Sequence, residues 1–154
     1  LFLRWFTTWV SMVSEAPTIP ALQARLYGEK LGDYQVVSGW WEDRHGEPLA
    51  ETILPPLGVI VEDGQGPCAA VWCYECFGVG VCFLEFPISR PGMHFNESLR
   101  AFEMAIEGCI RIAKQHGDFS LFQGYTLPAI ARALRSIGFV SGETGWTKIM
   151  MRRD

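Results

Sequence analysis

The chain has 154 residues, of which 49% are hydrophobic and 19% charged, so the composition predicts one globular domain rather than a disordered chain. Its formal net charge of -4 argues against nucleic acid or an anionic membrane as a partner, because both bind a basic surface. No apolar run reaches the roughly 20 residues that span a bilayer.

The first segment, LFLRWFTTWV, is apolar and aromatic but lacks the basic lead and small-residue cleavage site of a signal peptide. We expect residues 1–19 to form an N-terminal extension and residues 20–154 to form the domain. An apolar arm has to pack on something, and a second copy of the chain, giving a homodimer, is one candidate. Five cysteines without a secretory signal predict reduced thiols and a cytoplasmic location.

The chain then alternates over residues 21–28 in the manner of a first strand. Asp33 is the expected N-cap of a helix on which Val37 and Trp41 share one side, and Gly46 ends that helix. The stretch GEPLAETILPP is expected to be a linker with one helical turn.

Three strands in a row follow at residues 57–63, 68–76 and 80–88, joined by the turns GQGP and FGVG. Their short connections make them antiparallel neighbours. Because the strands are almost continuously apolar, both faces of the sheet are expected to be covered.

A long amphipathic helix is predicted over residues 96–117, followed by a strand at 119–124, a helix from Thr126 to Gly138 and a last strand, GWTKIMMR. The long helix crosses between the strands at 80–88 and 119–124, which makes these two parallel. The predicted fold class is therefore α/β (α+β), a mixed, mostly antiparallel sheet flanked by helices in the order β-α-β-β-β-α-β-α-β.

This order resembles the GNAT family of N-acyltransferases over about residues 20–152. The stretch DYQVVSGWW resembles the family's first helix, FLEFPISRP its fourth strand running into the cofactor loop, and LPAIARALRSIGF its closing helix, which ends in the pair Gly138–Phe139. The resemblance implies a fold that splays two parallel strands to bind coenzyme A. It also implies transfer of an acetyl group from acetyl-CoA to an amine, either a small molecule or a peptide.

The resemblance places the cofactor along the third of the three consecutive strands and at the start of the next helix. The pantetheine arm would bind the main chain at Phe86, Pro87 and Ile88. The pyrophosphate would lie near four residues after the strand: Arg90, Gly92, His94 and Asn96. A helix start suits an anion because it presents unpaired N–H groups and the positive end of the helix dipole.

Acyl transfer requires a base for the ammonium and an acid for the leaving thiolate. Glu85 is the one acid in the apolar stretch FLEF, and family members often carry a glutamate base on this strand; the alternative is a structural carboxylate. Leu134 stands where the family's usual acid, a tyrosine, is expected. Tyr125 is the nearest substitute along the chain, with a packing role as its alternative.

Trp40, Trp41 and His45 fall in the region that lines the acceptor site in this family, although two adjacent tryptophans do not both face the core. A solvated loop residue is the alternative for His45. Cys73 and Cys76 form a CxxC, but residues three apart on a strand face opposite sides and no second CxxC occurs. Buried thiols are expected, and no metal site is predicted.

A competing hypothesis comes from a different class of function. The family's cofactor loop reads Arg/Gln-x-x-Gly-x-Gly/Ala, whereas SRPGMHFNESL has Arg90 and Gly92 at a different spacing, and Glu97 at the helix start competes with phosphate. Together with the missing tyrosine, these departures favour a catalytically inactive domain of the same fold that acts as a binding or interaction module. Coenzyme binding distinguishes the two hypotheses.

Overall fold

The computed structural model describes residues 21–142. Within these residues, one sheet is built from five strands: β1 (Gln23–Leu26), β2 (Leu57–Asp63), β3 (Gly66–Cys76), β4 (Val81–Ser89) and β5 (Leu121–Gly124). They lie in chain order across the sheet, the first four antiparallel and β5 parallel to β4. The predicted mixed, mostly antiparallel sheet is confirmed. The predicted last strand, GWTKIMMR, and the N-terminal extension lie outside the described residues.

In the described part of the chain, three α-helices flank this sheet: α1 (Asp33–His45), α2 (Phe95–His116) and α3 (Pro128–Ala133). The linker between α1 and β2 contains the predicted single helical turn, Glu51–Ile53. Across residues 21–142, no helix is both long enough and apolar enough to cross a membrane.

Each face of the sheet has its own hydrophobic core. On one face, residues of α2 such as Phe102 and Ile106 pack against the side chains of β2, β3 and β4 that point to that face. On the other, Val37 and Trp40 of α1 pack against Trp72 of β3. The expectation that both faces are covered is confirmed, and it explains why the central strands are almost continuously apolar.

The sequence predicted Asp33 as the N-cap of α1, but the N-cap is Gly32, with a φ of 92°. The Asp33 carboxylate, 5% exposed, instead accepts hydrogen bonds from Arg25 at 2.7 Å and from the main-chain N–H of Gly28 at 2.9 Å. Arg25 also donates to Glu62 at 2.8 Å. Burial by itself would raise the pKa of Asp33, but these hydrogen bonds outweigh it and hold that pKa below its usual value. The Asp33 side chain therefore pairs with Arg25 of β1 instead of capping α1.

The helix α3 begins one residue later than predicted. Its N-cap is Leu127 rather than Thr126, and Pro128 occupies the first helical position. Proline fits there because its missing N–H would have no partner in any case and its fixed φ suits the first helical residue. After Ala133 the chain tightens into a 3-10 turn, which Gly138 ends with a φ of 95°.

Candidate functional site

The strand β4 carries an extra residue near its C-terminal end. Ala70 of β3 lies opposite Ile88, and Trp72 lies opposite Glu85, so two steps along β3 match three along β4. Phe86 accommodates the difference with a φ of 53°, in the left-handed region that residues other than glycine seldom adopt. Glu85 shares the face of its cross-strand neighbour Trp72, and Phe86 packs on the same core. Two adjacent side chains therefore both lie on the α1 side.

The strands β4 and β5 part at this bulge. Their pairing ends at Leu84 and Gly124. From Glu85 onwards β4 pairs with β3 on one edge, while no strand within residues 21–142 pairs with its other edge. The next residues on the two strands, Glu85 and Tyr125, stand on either side of the opening. The main chain of β4 beyond Leu84 is thus open to a ligand.

Gly124 is needed where the strands part, because a Cβ atom at this position would lie 2.6 Å from the carbonyl oxygen of Leu84. We expect Gly124→Ala to lower the free energy of unfolding by about 1–3 kcal/mol, the usual cost of overpacking. Thermal unfolding measures this as a lower Tm. Gly39→Ala, at an exposed helical position with open space around its Cβ, should raise the Tm instead. A Gly124→Ala Tm equal to wild type would contradict the clash.

A pocket of about 300 Å³ opens at the start of α2. Its walls come from the end of β4, the loop after it, the first turns of α2 and the start of α3, with one contribution from the end of α1. Two arginines, Arg44 and Arg90, line it together with the hydroxyl of Ser89 and the rings of Phe95 and Phe102. The pocket combines positive charge with apolar surface.

The two arginines differ in how far the protein itself neutralises them. Arg90 donates to Asp63 at 2.6 Å and to the carbonyl of Pro67 at 3.1 Å, and the hydrogen bond with Asp63 raises the pKa of Arg90 and lowers that of the carboxyl. Arg44 donates to the carbonyl and hydroxyl oxygens of Ser89 at 3.4 and 3.3 Å. Across residues 21–142, Arg44 forms no ion pair. Arg44 is therefore the cation of this pocket whose charge stays available.

Arg44 is not among the residues that the sequence predicted for the site. The one sequence feature that could have indicated a role for Arg44 is its position next to His45, in the stretch assigned to the acceptor region. The contact with Ser89 joins residues 45 positions apart, and no local pattern indicates that the end of α1 reaches the end of β4.

The start of α2 holds the other residues predicted to contact phosphate. His94 is its N-cap and Asn96 lies in its first turn, both exposed, and neither lines the pocket. Gly92 does line it, at a φ of 82° that favours glycine. The Glu97 carboxylate accepts the main-chain N–H of His94 at 3.3 Å. One of the donors at the helix start is therefore already satisfied within the chain.

On the α1 side of the bulge, four rings form a row, here called the aromatic row: Tyr74, Phe86, Trp41 and His45. The centroids of Trp41 and His45 are 4.2 Å apart, and Trp41 meets Phe86 edge to face at 5.8 Å. Phe86 in turn meets Tyr74 at 6.3 Å. Burial, followed by the charge of Glu85, raises the pKa of Tyr74. The structure thus brings Trp41 and His45 together with Phe86 beside Glu85.

Trp40 is placed elsewhere than the sequence predicted. It is 9% exposed and lies in the core, while Trp41 contacts Phe86, because successive helical residues point about 100° apart. Ile88 is fully buried, so only its main chain is available to a ligand, while Pro87 is exposed. Tyr125 is 67% exposed, at the opening between the strands.

All five cysteines are free thiols. Burial raises the pKa of Cys109 to about 12 and that of Cys68 to about 11, and it raises the pKa of Cys73 further. These three thiols stay protonated and make poor nucleophiles. Among residues 21–142, no three His, Cys, Asp or Glu side chains are arranged to hold a metal ion.

No protein-family model matches this chain, and no curated protein matches it in sequence. Solved structures do resemble it. An acetyltransferase from Trypanosoma brucei has a TM-score of 0.59 at 11% identity, covering 84% of this chain and 100% of that one. A predicted acetyltransferase from Clostridium acetobutylicum, crystallised with acetyl-CoA, has a TM-score of 0.55 at 11% identity, covering 84% and 96%. An aminoglycoside N-acetyltransferase bound to the bisubstrate analog CoA-S-monomethyl-acetylneamine has a TM-score of 0.58 at 16% identity, covering 86% and 99%.

Proposed function

Because the chain has the fold of the GNAT acetyltransferases, we propose that it is an N-acyltransferase that moves an acetyl group from acetyl-CoA to an amine. One observation carries the proposal: β4 and β5 separate after Leu84 and Gly124, and Glu85 stands at the opening. Within residues 21–142 that edge of β4 has no strand partner beyond Leu84, and its main-chain groups would gain hydrogen bonds from a ligand.

The residues around the opening suit the two ends of the co-substrate. The unpaired edge of β4 beyond Leu84 offers main-chain donors and acceptors to the amide groups of pantetheine. The pocket at the start of α2 offers the guanidinium of Arg44 and main-chain N–H groups to phosphate. The apolar part of the same pocket, including Phe95 and Phe102, excludes water from that contact.

In the proposed reaction, Glu85 takes a proton from the ammonium group of the acceptor, directly or through one water. The freed nitrogen lone pair forms a bond to the thioester carbon, and the carbon–sulfur bond breaks. The nitrogen then releases its second proton to solvent, which balances the proton that the thiolate takes up. The leaving thiolate accepts a proton, for which the exposed hydroxyl of Tyr125 across the opening is the candidate donor. The products are an N-acetylated amine and coenzyme A.

Titration calorimetry of acetyl-CoA into the protein tests the proposal. Binding near micromolar, about 8 kcal/mol, would support it. Absence of both heat and thermal shift at millimolar coenzyme would contradict it and favour the competing hypothesis of an interaction module. Arg90 is already neutralised by Asp63, and Glu97 occupies the start of α2, and both features favour that alternative.

Arg44→Ala is expected to weaken acetyl-CoA binding about tenfold or more, because a hydrogen bond to a charged group contributes about 1.5–3 kcal/mol. The Kd from calorimetry measures the effect. Arg111→Ala, which removes the same charge from an exposed position late in α2, is the matched control and should leave the Kd unchanged. Equal Kd values for Arg44→Ala and wild type would remove Arg44 from the binding site.

A further inference from the structure

We propose that the acceptor is a primary amine carrying a flat aromatic group, which binds between the aromatic row and Glu85. This inference rests on the proposed function and specifies its second substrate. It is carried by the position of the rings, by their mutual geometry, by the neighbouring carboxylate and by the strained backbone of Phe86.

The bulge in β4 sets the position of the Phe86 ring next to Glu85. The extra residue turns both Glu85 and Phe86 to the α1 side, directly after the last pairing of β4 with β5 at Leu84. An amine that approaches the opening from this side therefore meets the Phe86 ring and the Glu85 carboxylate together. The remaining rings of the aromatic row extend the surface away from the opening.

The rings are arranged as a corner rather than a flat stack. Trp41 and Phe86 meet at 72°, and Phe86 and Tyr74 meet at 61°. The Tyr74 hydroxyl donates to the main-chain carbonyl of Ile53, which holds that end of the row in place. A planar aromatic group entering this corner contacts one ring face to face with an offset and another edge to face, the two arrangements that ring pairs prefer.

The charge beside the row selects a cation. Glu85 adds to the effect of burial in raising the pKa of Tyr74, so its charge is felt at the Tyr74 hydroxyl. An amine arrives as an ammonium ion, and this ion is attracted both by the carboxylate and by the faces of aromatic rings. The same two features would bind the ring and the ammonium of one molecule at once.

The backbone of Phe86 is the fourth observation. A φ of 53° in a residue other than glycine persists only where the surrounding structure enforces it, and such residues concentrate at binding and catalytic sites. The strain also supplies a useful variant. Phe86→Gly removes the ring while relieving the backbone, so the relieved strain offsets part of the packing that is lost with the ring.

The test compares 2-phenylethylamine with 2-cyclohexylethylamine, which has the same charge and carbon skeleton but no flat ring, and with spermidine. We expect kcat/KM for acetylation of 2-phenylethylamine, followed by mass spectrometry of the product, to exceed both others by about tenfold. In Trp41→Ala and Phe86→Gly this preference should disappear. Phe77→Ala, at an exposed turn on the far end of β4, should keep it.

Direct binding of the same amines to the coenzyme-free protein, followed by tryptophan fluorescence, separates this inference from the proposed function. Preferential binding of 2-phenylethylamine that is lost in Phe86→Gly supports the aromatic acceptor even in a protein that does not bind coenzyme. Equal binding of the phenyl and cyclohexyl amines, or equal acetylation of them, overturns the inference. If the two amines are acetylated equally, the proposed function stands with a different acceptor.

Discussion

Glu85→Gln is expected to lower kcat for acetyl transfer by about 100-fold or more, the lower end of what a general base contributes. Glutamine keeps the shape and hydrogen-bonding capacity of the side chain but does not accept the proton of the ammonium group. Because Glu85 lies opposite Trp72 on the α1 side of β4 and does not line the pocket at the start of α2, the Kd of acetyl-CoA should not change. Single-turnover kinetics and titration calorimetry measure the two quantities separately.

Glu107→Gln is the matched control for this experiment. Glu107 is exposed on the fourth turn of α2, away from the opening between β4 and β5, so the same chemical change there should leave kcat at the wild-type value. Turnover of Glu85→Gln equal to that of Glu107→Gln would rule out Glu85 as the base. A variant that loses coenzyme binding as well as turnover would place Glu85 in binding rather than in proton transfer.

Asp33→Ala is expected to lower the free energy of unfolding by about 3 kcal/mol, as measured by urea denaturation. The substitution leaves the half-buried guanidinium of Arg25 without its two short hydrogen bonds of 2.7 Å, and it leaves the N–H of Gly28 without an acceptor. Glu62 still pairs with Arg25, so the loss stays at the lower end of that for a broken buried ion pair. Asp43→Ala, an exposed position on the same helix, should cost little.

The contribution of Asp33 has a defined pH dependence. Its pKa is lower in the folded chain than in the unfolded chain, where it is about 3.9, so the ionised carboxylate stabilises the folded state. That stabilisation is complete above the unfolded value and is lost as the pH falls through the folded value. The difference in unfolding free energy between wild type and Asp33→Asn should therefore be largest near neutral pH and should shrink below about pH 4. A difference that stays constant down to pH 2 would contradict the lowered pKa.

The strands, the long helix and their order could be predicted from the sequence, because each depends on patterns within a few residues. The period of α2 places Phe102, Ile106 and Cys109 on one side, and all three are buried as the spacing requires. The apolar runs and tight turns of β2, β3 and β4 specify an antiparallel meander on their own. The crossover helix then makes β5 parallel to β4.

The site depends on contacts between residues far apart in the chain, and these were decided only by the tertiary structure. The extra residue at Phe86 shows itself only in the register against β3, and Trp40 was separated from Trp41 only by the packing of α1. The Arg44 side chain contacts Ser89, 45 positions further along the chain. The Asp33 carboxylate, which the sequence predicted as a helix cap, binds Arg25 of β1 instead. Local periodicity encodes which residues face the core, because neighbours on a helix or strand share one geometry. It carries no information on which polar side chain meets which, because that is fixed when separate elements pack together.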